Sequence, residues 1–257
     1  MRAPKSVRDI RPAEEIRHHA IALPFIVRKR ESAALCALHA QRKHVLILGP
    51  SGVGKSALVA HLRGQLPLLL CPHSECLGEI CDNFEMELGL GADDMKLVKR
   101  KQRLRQALAE TGKTVVFDGL GWTTPKLSSF LESVMERVPV WLCARSEYSW
   151  DIGHFWTLLG RFARVELRPF QHQEAHSLVS TAVERGIVPG AAMGIVGWLY
   201  RTSAGNPGRL CKLLTELANG HYDVCNPCSL RRLKLDCRIH AVFPAHGQGR
   251  PTPSSLS

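Results

Sequence analysis

One segment of this chain restricts the choice of fold more than any other. Gly49-Pro-Ser-Gly-Val-Gly54-Lys55-Ser56 matches G-x-x-x-x-G-K-[ST] at every specified position. Ahead of it His44-Val-Leu-Ile-Leu48 is a compact run of strand length, and behind it Ser56-Ala-Leu-Val-Ala-His-Leu62 is a helix-forming run. A strand that breaks into glycines and restarts as a helix can turn successive backbone N–H groups inward. It also aims the positive end of the helix at the same point, and together they fit phosphate oxygens. An ordinary glycine turn needs neither the lysine nor the hydroxyl. Lys55 is placed to reach the β- and γ-phosphates of a nucleotide, and the Ser56 hydroxyl to ligate Mg²⁺. Gly49, Pro50, Ser51, Gly52, Val53, Gly54 and Ala57 complete the expected cradle.

The rest of the chain supplies a scaffold for such a loop. Leu66–Cys71, Lys113–Asp118, Val138–Ala144 and Arg161–Leu167 read as further short strands. Helical patterns over Ser74–Glu87, Lys96–Glu110 and Leu127–Arg137 separate them. Alternating strands and helices imply an α/β fold, a three-layer P-loop NTPase with a parallel sheet flanked by helices. From Pro169 the pattern is helical only (Gln171–Glu184, Ala191–Ala204, Gly208–Ala218), read as a small C-terminal lid. The expected division is a basic arm over 1–23, a core over 24–168, a lid over 169–222 and a Cys-containing basic segment over 223–257. That segment ends in GQGRPTPSSLS, which is disordered by composition.

Thr114-Val-Val-Phe-Asp118 is an apolar strand ending on an acid, one strand-helix excursion after the loop. Such a carboxylate holds the Mg²⁺ shell beside a phosphate loop, which makes Ser56 and Asp118 the metal pair. The next position, where many ATPases carry a second acid that activates water, is Gly119. The obvious general base is absent.

Composition narrows the partners. Basic residues outnumber acidic ones 34 to 23, a net charge of +11, which favours an acidic partner such as DNA. Lys96–Arg105 and the group Arg231, Arg232, Lys234 and Arg238 are candidate phosphate-backbone contacts, although a charge run is often only a solvated face. Nine cysteines without framework spacing suit a reducing compartment. No apolar run has the length of a membrane span, and the first residues lack the core of a secretory signal. The expected location is the cytoplasm, with no membrane partner. Cys225-x-x-Cys228 with Cys237-x-x-His240 has zinc-ligand chemistry, but the gap is short and Leu230, Leu233 and Cys237 share a helical face. Both readings stay open.

Three segments carry a family resemblance. Pro24-Phe-Ile-Val-Arg28-Lys-Arg-Glu31-Ser-Ala-Ala-Leu35 resembles the "F-V-G-R-E-x-E-L" segment ahead of the phosphate loop in P-loop ATPases between the AAA+ initiator or transposition-helper group and the STAND group. Phe25, Arg28 and Glu31 match, while Val27 and Lys29 replace Gly and Glu. Gly160-Arg161-Phe162 before Val165–Phe170 is similar to the arginine-finger segment that leads to the lid. Ala204-Gly-Asn-Pro207-Gly-Arg209-Leu210 is similar to the lid's "G-N-P-x-x-L" region. The resemblance spans 24 to about 218. It implies adenine contact near the first segment, Pro207 and Arg209 as lid contacts to the nucleotide, Arg145 as a γ-phosphate sensor, and Arg161 as a finger offered to a neighbouring subunit. Guanidinium forks suit all three arginine roles.

The expectation is therefore an ATP-binding ATPase or ATP-driven switch with Mg²⁺, with slow intrinsic turnover, self-association or a protein partner, and DNA as the leading macromolecular partner. The alternatives are a non-hydrolysing ATP-bound scaffold or sensor, and a small-molecule phosphotransferase. A GTPase needs an N/T-K-x-D segment after a late strand, where this chain reads Ala144-Arg-Ser-Glu-Tyr148.

Overall fold

Five runs of apolar, strand-forming residues pair in parallel: β1 (Val45–Gly49), β2 (Leu68–Cys71), β3 (Thr114–Phe117), β4 (Val140–Arg145) and β5 (Ala163–Glu166). Their order in the sheet is β2-β3-β4-β1-β5. A computed structural model describes residues 23, 25–26, 28–72, 74, 76–91, 95–120, 123–146, 153–219 and 222–242. The expected basic arm, apart from residue 23, and the expected tail lie outside them.

Strands buried on both faces need apolar side chains at consecutive positions, and period-2 geometry sends those side chains to opposite layers. Val45 and Ile47 of β1, Val116 of β3, and Trp141 and Cys143 of β4 join Leu35 of α1 (Lys29–Ala40) and Leu58, Val59 and Leu62 of α2 (Lys55–Arg63). Leu46, Val115, Phe117, Val140 and Leu142 face the other way, onto α3 (Leu77–Glu87), α4 (Leu97–Thr111) and α5 (Pro125–Met135). Thr124 opens α5 by accepting from the Leu127 N–H at 3.3 Å, with Pro125 at the first helical position.

A third cluster unites α6 (His172–Glu184), α7 (Val196–Ser203), α8 (Pro207–Ala218) and α9 (Pro227–Val242). The helix expected over Ala191–Ala204 is divided: Gly190–Ile195 is a 3₁₀ segment and α7 begins only at Val196. Two glycines in six residues weaken α-helix there, so the tighter turn wins. Leu230 and Leu233 of α9 are buried in this cluster and Cys237 packs against it, so α9 extends the helical body.

The strand order positions the site. β4 lies between β1 and β3, with Arg145 in register with Gly49 and Leu142 with Phe117. The carboxyl ends of three strands, carrying Gly49, Arg145 and Asp118, therefore stand side by side. No helix among the described residues is long and apolar enough to cross a membrane.

Candidate nucleotide-binding site

The loop after β1 is held open by backbone geometry. Gly54 has φ +99°, a conformation closed to most side chains, and it opens α2 without a side-chain cap. The first amides of α2 are thus left for an anion. The Lys55 ammonium lies under the loop, donating to the carbonyls of Gly49 (2.6 Å) and Pro50 (3.1 Å). Ser56 and Ala57 are exposed on the first turn of α2, and Val53 is buried beneath them.

Asp118 follows β3, with its N–H bonded to the Cys71 carbonyl at 2.9 Å. One carboxylate oxygen accepts from the N–H of Gly119 at 2.9 Å, and the carboxylate accepts from the Cys143 thiol. Burial first, then the Asp118 charge, pushes that thiol well up, while Lys55 pulls it down. Lys55 and Asp118 thus converge on one neutral buried thiol of β4. Cys143 was not legible as a site residue; only its place in the central strand brings it there. Gly119 has φ +67°, so the position after Asp118 is one where a side chain is strained.

Two further attachments hold the loop. Arg28 is 4% exposed, yet its guanidinium donates to the carbonyls of Val53 and Arg168, each at 2.8 Å. It also lies 4.9 Å from the centre of the Phe170 ring. Burial draws its pKa down, opposed by the charges of Glu31 and Glu174, and a guanidinium stays charged through such shifts. From the other side the turn before α8 reaches the loop. The Asn206 side-chain amide donates to the Ser51 carbonyl at 2.8 Å, and the Gly208 N–H donates to the Gly52 carbonyl at 2.8 Å. Gly52 has φ +75°, and an added Cβ would lie 2.9 Å from Asn206 Oδ1. That oxygen meanwhile accepts from the Arg209 N–H, capping α8.

Pro207 is buried between these two attachments. Phe25, from the segment read as adenine-contacting, stacks at 4.8 Å against His61 of α2. Arg145 ends β4 beside Gly49, with the next residue, Ser146, donating its N–H to the Gly49 carbonyl at 3.3 Å. Arg161 lies at the opposite edge of the sheet, just before β5, paired with Glu132 at 3.8 Å. Its charge is felt by His44, which precedes β1, so the five residues of β1, roughly 16 Å of strand, separate it from its own chain's loop. The Arg209 side chain lines a cavity with residues of α9. Among the described residues no three His, Cys, Asp or Glu side chains form a metal-holding group. Cys225 and Cys228 are exposed, Cys237 is half-buried, and the side chain of His240 lies outside the described set.

A parallel sheet with a glycine-rich loop between an inner strand and a helix, and an acid at the end of a nearby strand, is the fold of a P-loop NTPase. No protein-family model and no curated protein matches this chain. Solved structures do. A Walker-type ATPase of Pyrococcus abyssi is 18% identical at TM-score 0.61, over 86% of this chain and 74% of that one. The ORC1 protein of Aeropyrum pernix, solved in complex with DNA, is 16% identical at TM-score 0.60, over 85% of this chain and 66% of its own. A STAND protein of Pyrococcus horikoshii with a tetratricopeptide repeat sensor is 17% identical at TM-score 0.51, over 83% of this chain and 32% of that one. The chain therefore has a fold shared by AAA+ initiator and STAND ATPases, and spans a third to three quarters of those proteins.

Proposed function

We propose that this chain is a Mg-ATP-dependent switch in which the loop at Gly49–Ala57 is coupled to the helices that follow the sheet. The observation that carries the reading is the double attachment of Asn206 to Ser51 and of Gly208 to Gly52. Any ligand that reorients the loop amides must move or strain those two bonds, and through them α8. The donor set fits the cofactor: uncapped amides at the start of α2, a lysine under the loop, and a hydroxyl and a carboxylate at one edge of the sheet. Ser56 and Asp118 would hold Mg²⁺, Lys55 would neutralise phosphate charge, and Pro207 and Arg209 would contact the nucleotide from α8. When bound, Mg-ATP supplies a phosphoryl group whose transfer to water needs charge neutralisation and a positioned nucleophile.

The chain's own residues serve the first need better than the second. Arg145 beside Gly49 suits a γ-phosphate sensor. Arg161, on the far edge, can serve only a neighbouring copy's loop. With Gly119 in a left-handed conformation after Asp118, no acid stands where a water-activating base is expected. Intrinsic hydrolysis is therefore slow, and faster on self-association. A non-hydrolysing ATP-bound scaffold is the second reading, favoured by the same Gly119. In this reading residues 24–168 form the core, the helices after 169 the lid, and nucleic acid is the partner suggested by the net charge of +11. A cytoplasmic location accords with the cysteine usage.

Steady-state ATP hydrolysis across a protein titration, with and without duplex DNA and with Lys55→Ala as control, tests this. Specific activity should climb with concentration or DNA and vanish in the control. Tight ATP binding without turnover under every condition would replace the ATPase with the scaffold. Absence of ATP binding would end both.

A further inference from the structure

α7, α8 and α9 enclose a cavity of about 570 Å³ lined by Thr202, Arg209, Lys212, Leu213, Lys234, Cys237 and Arg238. Four of these seven side chains are cationic and none is acidic. Elsewhere six arginines find carboxylates: Arg28 with Glu31, Arg63 with Glu87, Arg100 with Asp82 and Glu85, Arg161 with Glu132, Arg168 with Glu166, and Arg232 with Asp236. Among the described residues Arg209, Lys212, Lys234 and Arg238 form no ion pair with a carboxylate. Cys237 does not offset them, since burial, with smaller help from Glu216 and Asp236, raises its thiol to about 11 and leaves it neutral. Asp236 is itself engaged by the Tyr222 hydroxyl at 2.8 Å and by Arg232.

Like charges gathered around one concavity repel, and an anion with several charges relieves that repulsion while releasing counterions. The arrangement continues beyond the cavity. Arg231, Lys234 and Arg238 fall at i, i+3 and i+7 on α9, one face of the helix, and all three are exposed. Seven residues of helix rise about 10 Å, longer than a single phosphate and suited to successive phosphates of a chain. The uncharged lining residues, Thr202, Leu213 and Cys237, include no aromatic side chain on which a base could stack, so recognition would be of the backbone.

We propose that this cavity, with the α9 stripe leading from it, is a docking site for the phosphodiester backbone of nucleic acid, sharing only Arg209 with the nucleotide contacts proposed above. It rests on the reading of nucleic acid as the partner and assigns that partner a place. The site engages phosphates without regard to base sequence, and its position on α8 joins it to the loop through Asn206 and Gly208. Occupancy of one would bias the other.

The test is fluorescence anisotropy of a labelled DNA duplex with the full chain across a salt series. The variant carries Lys212→Gln, Lys234→Gln and Arg238→Gln together, leaving Arg209 intact. A control carries Lys43→Gln, Lys113→Gln and Lys126→Gln, the same loss of net charge at exposed positions outside both basic groups. The site variant should bind at least about tenfold more weakly at low salt, with the log–log salt slope reduced by about 3, roughly one per phosphate contact. The control should keep most of the slope, and ATP binding should be intact in both. Equal losses in variant and control would overturn the site and leave net charge as the cause. An unchanged site variant would overturn the site while nucleic acid stands as partner. No binding of duplex by the wild type would remove partner and site together. Binding of inorganic polyphosphate but not of duplex, lost in the same variant, would replace the occupant with a free polyanion and overturn the assignment to nucleic acid.

Discussion

The loop at Gly49–Ala57 and the cavity between α8 and α9 both gather positive potential, by opposite means. In the loop the donors are backbone amides, and the one lysine beneath them is tied to the carbonyls of Gly49 and Pro50. In the cavity the donors are four long, flexible side chains with no carboxylate partner among the described residues. Amides held by buried contacts select size and geometry, whereas mobile cations select only charge. The first kind of site should depend on what fixes the backbone, and the second on salt.

The comparison breaks most sharply at Arg28. Its two carbonyl bonds tie the loop to the chain leaving β5, and it is buried against Phe170. Arg28→Ala should cost about 3 kcal/mol of stability, from lost charge-assisted bonds and two carbonyls left without a donor. Urea denaturation reads this as a lower midpoint. Arg28→Lys should recover little, because an ammonium cannot span both carbonyls as a planar fork does. DNA binding per folded molecule should be unmoved. A midpoint unchanged in Arg28→Ala would mean the loop is fixed by other means.

Asn206 sharpens the comparison with a smaller effect. Asn206→Ala removes the α8 cap and the bond to Ser51, for about 1–2 kcal/mol. The more telling readout is amide hydrogen exchange of α6–α8 with and without ATP. Wild type should gain protection on binding, and the variant should lose that gain while still binding nucleotide. Equal gains in both would show that loop and helices are coupled elsewhere, or not at all.

The smallest expected effect lies at the sheet's far edge. His44 Nδ1 accepts from the Val140 N–H at 3.1 Å, which requires an unprotonated ring nitrogen. Burial, then the charge of Arg161, lowers its pKa below the ordinary 6.5. Above that value both states are neutral and the contribution is whole. As pH falls below it the unfolded chain protonates first, so stability is lost toward acid until the folded group protonates too. Denaturation at pH 8 and pH 5.5 should show a loss that His44→Leu reduces. An unchanged pH dependence in His44→Leu would place the acid sensitivity elsewhere. Neither the loop nor the cavity should respond to this change.

Much of this molecule is legible in its sequence. The G-x-x-x-x-G-K-S run between an apolar strand and a helix demands a phosphate-binding turn, because few other structures need glycines, a lysine and a hydroxyl in that order. The apolar runs at Val45, Thr114 and Val140 demand strands buried on both faces, hence a parallel sheet under two layers of helix. Arg231, Lys234 and Arg238 could be seen as a basic group, and Asp118 as an acid at a strand's end. These are local signals, carried by residues a few positions apart.

What the sequence left undecided depends on contacts between distant positions. Arg28 lies 25 residues from Val53 and 140 from Arg168, and Asn206 lies 155 from Ser51. The family resemblance marks both segments, but no local pattern tells which distant carbonyls these side chains reach. The order of strands brings Cys143 to Asp118, and the left-handed turn at Gly119 explains a missing acid that in sequence is only a glycine. The packing of α9 against α8 turns separate basic residues into one cavity. Local propensity specifies where elements begin and end, but only the packing of the whole chain determines which side chains meet.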